Sequence, residues 1–114
     1  MQSDKPECDN NEHVQVRSLN SVDDDTLEKA ARIFRALADP SRLRLLAILS
    51  ENEACVSELS DQDQLSTVSQ RLRTLRSENL VSRKRKGKHI IYGLADDHVV
   101  DMIRNALAHA GEDY

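Results

Sequence analysis

Apolar residues recur at helical spacing in several stretches of this chain and alternate in one. Leu27, Ala30, Ala31, Phe34, Leu37 and Ala38 share one helix face, and Asp25-Thr26-Leu27-Glu28 opens it like a capping box, Asp25 accepting from the backbone and Glu28 reaching back. Asp39-Pro40 ends that helix and starts another, with Asp39 as cap, because the residue before proline avoids the α region. Leu43, Leu46, Ala47 and Ile48 or Leu49 continue the core, while Arg42 and Arg44 point outward or toward phosphates. A short helix follows around Cys55 to Ser60, then a polar turn from Asp61 to Gln64. Leu65, Val68, Leu72 and Leu75 make the next stripe, with Ser66 as a suitable N-cap. Leu80 to Arg85 and His89 to Leu94 read as two strands joined near Lys86-Gly87, with Ile90, Tyr92 and Leu94 facing inward. A last helix starts near Asp97 or His98. Its apolar arc of Val99, Val100, Ile103, Ala106, Leu107 and Ala110 is wider than one thin domain needs to bury.

Composition narrows this picture. With 3% aromatic residues and no Trp, the core must be built from Leu, Ile, Val and Ala, which favours helices. The chain of 114 residues makes one small domain, expected over residues 23–114, behind a polar arm over residues 1–22 that lacks apolar periodicity and is expected to be mobile. A core of this size is marginal alone, so dimerisation is expected. No apolar run is long enough for a membrane span or a signal-peptide core, which predicts a cytoplasmic protein with no membrane partner. In that reducing compartment, Cys8 and Cys55 are expected as free thiols or metal ligands.

The net charge of −4 speaks against nucleic acid until its distribution is read. Arg71 to Lys88 carries eight basic residues against the single acid Glu78, whereas Met1 to Glu28 carries eight acids against Lys5 and Arg17. Phosphate binding depends on local charge, so a basic contact surface is expected. On the Leu65 helix the side opposite the apolar stripe offers Ser66, Thr67, Ser69, Gln70 and Arg73, side-chain types that read base edges and phosphates in a major groove. Behind two short helices and a turn, this is a helix-turn-helix. The basic hairpin tip, with Arg83, Arg85, Lys86 and Lys88, forms a wing suited to phosphates or the minor groove. The fold class is therefore mainly α with a small β-hairpin, a winged helix-turn-helix.

The last helix also carries Asp96, His98, His109 and Glu112. At 100° per residue, His98 and His109 return to within about 20° of one direction, with Glu112 a turn beyond. The histidines stand ~16 Å apart along the axis, against the ~4 Å that two ligands of one zinc ion span. One helix cannot close such a site alone. Asp96 falls on the far side from His98 and can join it only if the first turn is not yet formed there. Enzyme chemistry is disfavoured, since no H-E-x-x-H occurs, four protein ligands would fill the metal, and no glycine loop suggests a pocket for a small organic substrate.

The order helix, helix, helix-turn-helix, wing, helix over residues 23 to 112 resembles the ArsR/SmtB family of metal-sensing winged-helix repressors. The resemblance rests on A-L-A-D-P-S-R-L-R-L-L from Ala36, C-V-S-E-L from Cys55, L-S-T-V-S-Q-R-L-R-T-L-R from Leu65, G-K-H-I-I-Y from Gly87, and D-x-H followed by H-x-x-E. It implies a homodimer that represses an operator controlling metal efflux or sequestration genes and lets go on binding zinc. Asp96 and His98 of one subunit would join His109 and Glu112 of the other across an antiparallel helix pair. A second site is implied at Cys55 and Glu58, completed from the opposite arm by Cys8 with His13, Asp9 or Glu12, where thiolates would also accept Cd, Pb or Cu(I). The alternative is a redox-responsive repressor acting through Cys8 and Cys55.

Overall fold

The computed structural model describes residues 21–60 and 63–112. The arm readings at Cys8, Asp9, Glu12 and His13, and the turn residues Asp61 and Gln62, lie outside them.

Helix α1 runs Asp24–Leu37. Its cap is Asp23 rather than Asp25, since the Thr26 amide donates to Asp23 Oδ1 at 2.8 Å. Those hydrogen bonds from Thr26 hold the Asp23 carboxyl below its usual range. Asp25, already inside the first turn, instead pairs with Lys29 one turn on at 2.9 Å. The expected buried face is also corrected: Leu27 is 55% and Phe34 63% exposed, and Ala36 is the helix's buried residue.

Helix α2 spans Pro40–Leu49, capped as expected by Asp39, which accepts from the Arg42 amide at 2.9 Å. Arg42 does not reach outward. Its Nε donates to the Ala36 carbonyl at 2.8 Å and its Nη2 lies 3.4 Å from the Arg35 carbonyl, so it closes the open carbonyl end of α1. The core from α2 is Leu45, Leu46 and Leu49, with Leu43 packed at its edge and Ile48 exposed.

Strand β1 (Ala54–Cys55) was not foreseen from the pattern and adds a third strand to the hairpin. Two residues are too few to show alternation. Helix α3 (Val56–Leu59) leads to helix α4 (Leu65–Ser77). Gln64, not Ser66, stands at the α4 cap position, without a side-chain bond; Ser66 is inside the helix. Val68, Leu72 and Leu75 are fully buried, whereas Leu65 is exposed. The end of α4 is closed by the Leu80 amide donating to the Leu75 carbonyl at 3.0 Å, with Asn79 at φ 60 between them. This is a Schellman closure with asparagine where glycine is commonest.

Strands β2 (Val81–Lys86) and β3 (His89–Leu94) pair antiparallel, and Gly87 at φ 62 makes the turn. The sheet order is β1-β3-β2. Tyr92 is buried, with Ile90 and Leu94 packed against the core. Helix α5 (Asp97–Ala110) contributes Val99 and Ile103 to that core. Of the rest of its apolar arc, Val100 is half-buried, and Ala106, Leu107 and Ala110 face outward.

Candidate functional site

Burying the Val68, Leu72 and Leu75 stripe fixes which way α4 presents its other side. Ser66, Gln70 and Arg73 are exposed, and Thr67 and Ser69 are half-buried beside them. Arg71 belongs to a different set. Its Nη1 is 2.9 Å from Asp63 Oδ2, which ties the middle of the helix back to the preceding turn. No pattern in the sequence flags that pair, because its eight-residue separation crosses a turn.

The wing places Arg83, Arg85, Lys86 and Lys88 in solvent. Lys84 is held midway along the hairpin, with Nζ 3.2 Å from Glu53 Oε2. Glu53 reaches it by crossing Gly93, where an added Cβ would lie 3.3 Å from Glu53 Cγ. The glycine thus leaves room for a carboxylate that crosses one strand to meet the next. Helix α4 packs beside β2, and both expose basic and polar side chains, the types that contact base edges and phosphates.

On α5 and at its two ends, the four proposed metal ligands fall into two pairs. Asp96 has extended backbone angles and caps the helix, accepting from the Val99 amide at 3.1 Å. It therefore lies outside the first turn, as its joining His98 requires, and its Oδ1 is 3.7 Å from His98 Nδ1. At the other end His109 Nδ1 is 3.7 Å from Glu112 Oε1. Two ligands of a tetrahedral zinc ion with bonds of ~2.0–2.1 Å are ~3.3 Å apart, so each pair is close to the edge of such a shell. Among the described residues no group of three or more His, Cys, Asp or Glu side chains could hold a metal ion. Each pair supplies the donor types of a zinc site and half their number.

Cys55 sits where β1 meets α3, its Sγ 3.1 Å from Ser57 Oγ. Glu58 Oε1 accepts from the Cys55 amide at 2.9 Å, and that bond, ahead of a weaker contribution from His89, lowers the Glu58 carboxyl below its usual range. Glu58 thus caps its own helix here, and a role as a metal ligand would require that bond to be given up.

The profile of the "Bacterial regulatory protein, arsR family" matches residues 39–83, from the α2 cap into the wing. The chain is 43% identical over 90 residues to a transcriptional repressor SmtB homolog of Synechocystis sp., covering 77% of this chain and 68% of that protein. The chain belongs to the arsR family. Within this family of transcriptional regulators, it is also 32% identical over 85 residues to a cadmium resistance regulatory protein CadC homolog of Staphylococcus aureus, covering 72% of this chain and 70% of the other. Among solved structures, the homodimeric winged helix-turn-helix DNA-binding domain of Mb0332 from Mycobacterium bovis superposes with a TM-score of 0.70 at 30% identity, covering 74% of this chain and 80% of that one. This arsR-family chain is a winged helix-turn-helix protein, mainly helical with a three-stranded antiparallel wing. Among its described residues no helix is long and apolar enough to cross a membrane.

Proposed function

We propose that this chain is a homodimeric repressor that binds a two-fold operator and releases it when zinc binds at the α5 pairs. The observation that carries the reading is the division of the ligands. Asp96 with His98 and His109 with Glu112 each close to 3.7 Å, at opposite ends of a helix whose length keeps the two pairs apart. An antiparallel pairing of α5 with a second copy brings Asp96 and His98 to His109 and Glu112 of the partner subunit, giving two four-ligand sites per dimer. The exposed Ala106 and Leu107 supply the apolar surface for that pairing. The homodimeric Mb0332 domain supports the assembly, and the cadmium resistance relative supports metal as the signal.

In this reading Ser66, Thr67, Ser69, Gln70 and Arg73 enter the major groove, and Arg83, Arg85, Lys86 and Lys88 hold phosphates. Two recognition helices bound to one operator must sit about 34 Å apart. Bound zinc supplies a cross-link between the two chains. The residues that accept it fix the angle between subunits, and an angle that spoils the 34 Å spacing lowers operator affinity by roughly 5 to 150-fold. Cys55, completed from the partner subunit's arm by Cys8 with His13, Asp9 or Glu12, forms a second, thiolate-containing site suited to Cd, Pb or Cu(I) as well as zinc. Glu58 joins it only by releasing the Cys55 amide.

The test is a titration of operator-bound protein with Zn, Cd, Pb and Cu(I), repeated with His109→Ala and with Cys55→Ser. Zinc-driven release should vanish in His109→Ala and persist in Cys55→Ser. Release by zinc that survives His109→Ala, together with an oxidant response lost in Cys55→Ser, would establish the thiol-sensing alternative instead.

A further inference from the structure

Beyond the two ligand pairs, α5 holds α2 by a specific polar contact. Arg104 Nη2 donates to the Ser50 carbonyl at 2.9 Å, across 54 residues of sequence. Ser50 is the C-cap of α2: its amide donates to the Leu46 carbonyl, and its hydroxyl to the Ala47 carbonyl at 2.7 Å. The guanidinium therefore lies where the last carbonyls of α2 and its dipole place partial negative charge. The three residues after Ser50 lead into β1 and α3, the entry to the helix-turn-helix, and Glu53 among them is the one that holds the wing through Lys84. On α5 itself, Arg104 stands six residues beyond His98 and five before His109, so it lies between the two ligand pairs.

We propose that Arg104 is a coupling tie, a positioning residue that transmits a shift of α5 to the C-terminal end of α2 and onward to the wing. Packing of Val99 and Ile103 holds α5 against the core but tolerates small sliding. A directional bond to one carbonyl does not, because a displacement of about 1 Å takes it outside hydrogen-bond range. When the ligand pairs reorient α5, the Ser50 carbonyl either follows Arg104, shifting the segment from Ser50 to Glu53, or loses its donor, freeing that segment from the restraint. This assignment rests on the zinc reading given above.

Operator affinity of the full chain is measured by fluorescence anisotropy with and without zinc, alongside zinc affinity of the free protein and of the DNA complex, for the unsubstituted chain, Arg104→Gln and Arg104→Lys. Arg104→Gln should bind zinc when free, and DNA without zinc, within about threefold of the unsubstituted chain, yet lose at least about fivefold of the zinc-dependent weakening. By reciprocity, zinc affinity of its DNA complex should rise by the same factor. Arg104→Lys, which can still donate to the carbonyl, should recover most of the coupling. In the unsubstituted chain, zinc should also change amide exchange at Glu51 and Asn52, whose N–H groups donate to the Ile48 carbonyl. An Arg104→Gln protein with full coupling overturns the tie alone, as does unchanged exchange at those amides in a zinc-responsive chain. An unsubstituted chain that ignores zinc overturns the zinc reading and the tie with it.

Discussion

Asp39 and Asn79 show how single side chains set helix ends, one at the start of α2 and the other at the close of α4. Asp39 accepts the Arg42 amide at the start of α2, so Asp39→Ala should lower stability by about 1 kcal/mol, measured by urea denaturation. Asn79 occupies the left-handed region that asparagine tolerates and β-branched residues resist. Asn79→Gly should therefore be neutral or slightly stabilising, and Asn79→Val should cost about 1–2 kcal/mol. Equal stability of the two variants would show that the turn rearranges. Asp23 gives a pH prediction. Its folded carboxyl is depressed by the Thr26 bonds, so its contribution to α1 is present above the unfolded carboxylate range and lost as pH falls through the folded value. A carbon-detected NMR titration should find the Asp23 carboxyl below its usual range, and Asp23→Asn should remove the matching acid-side fraying of the first turn.

At the scale of elements, α4 and the wing should separate in their effects on DNA. Lys88→Ala should reduce the slope of log affinity against log salt by about 1 with little change in sequence preference. Gln70→Ala should leave the slope intact and relax preference at one base pair, at a cost of about 1–3 kcal/mol for the preferred operator. Equal slopes for Lys88→Ala and the unsubstituted chain would remove Lys88 from the phosphate contacts. These elements were largely legible in the sequence, for physical reasons. The Val68, Leu72 and Leu75 stripe needs no partner beyond its own core, so periodicity alone orients α4. Asp39-Pro40 is a local signal and marks the helix junction correctly. The misplacements came where a local rule met a competing neighbour. Asp23 displaced Asp25 as the α1 cap, α4 began one residue before Ser66, and Arg42 was drawn inward by carbonyls left open at the end of α1. β1 was invisible because Ala54 and Cys55 become a strand only by pairing with Tyr92 and Ile91. The proposed ligand pairs stood out in the sequence as residue types and spacing. Arg104 was not, since nothing local announces a bond to Ser50.

For the whole molecule, the exposed Phe34 and Leu107 and the divided ligand pairs lead to one question: whether the metal sites are built between two chains. A mixed-dimer experiment answers it. One chain carries Asp96→Asn and His98→Ala, the asparagine keeping an N-cap oxygen for the Val99 amide so that α5 still starts correctly. The second chain carries His109→Ala and Glu112→Gln. Both chains also carry Cys55→Ser to remove the thiolate site, so that, if the α5 sites form between subunits, each homodimer retains only isolated halves of them and should bind zinc weakly. The heterodimer of the two is different, because the second chain's intact Asp96 and His98 face the first chain's intact His109 and Glu112. It should recover one zinc ion per dimer at about the unsubstituted affinity, read by competition with a chromophoric chelator after co-refolding. A site built within one chain allows no such recovery, since neither chain in the mixture has both pairs. The heterodimer should also regain part of the zinc-driven release from operator DNA, with one cross-link constraining the angle between subunits instead of two. Recovery of zinc binding without any recovery of release would mean that both cross-links are needed to move the recognition helices off their 34 Å spacing.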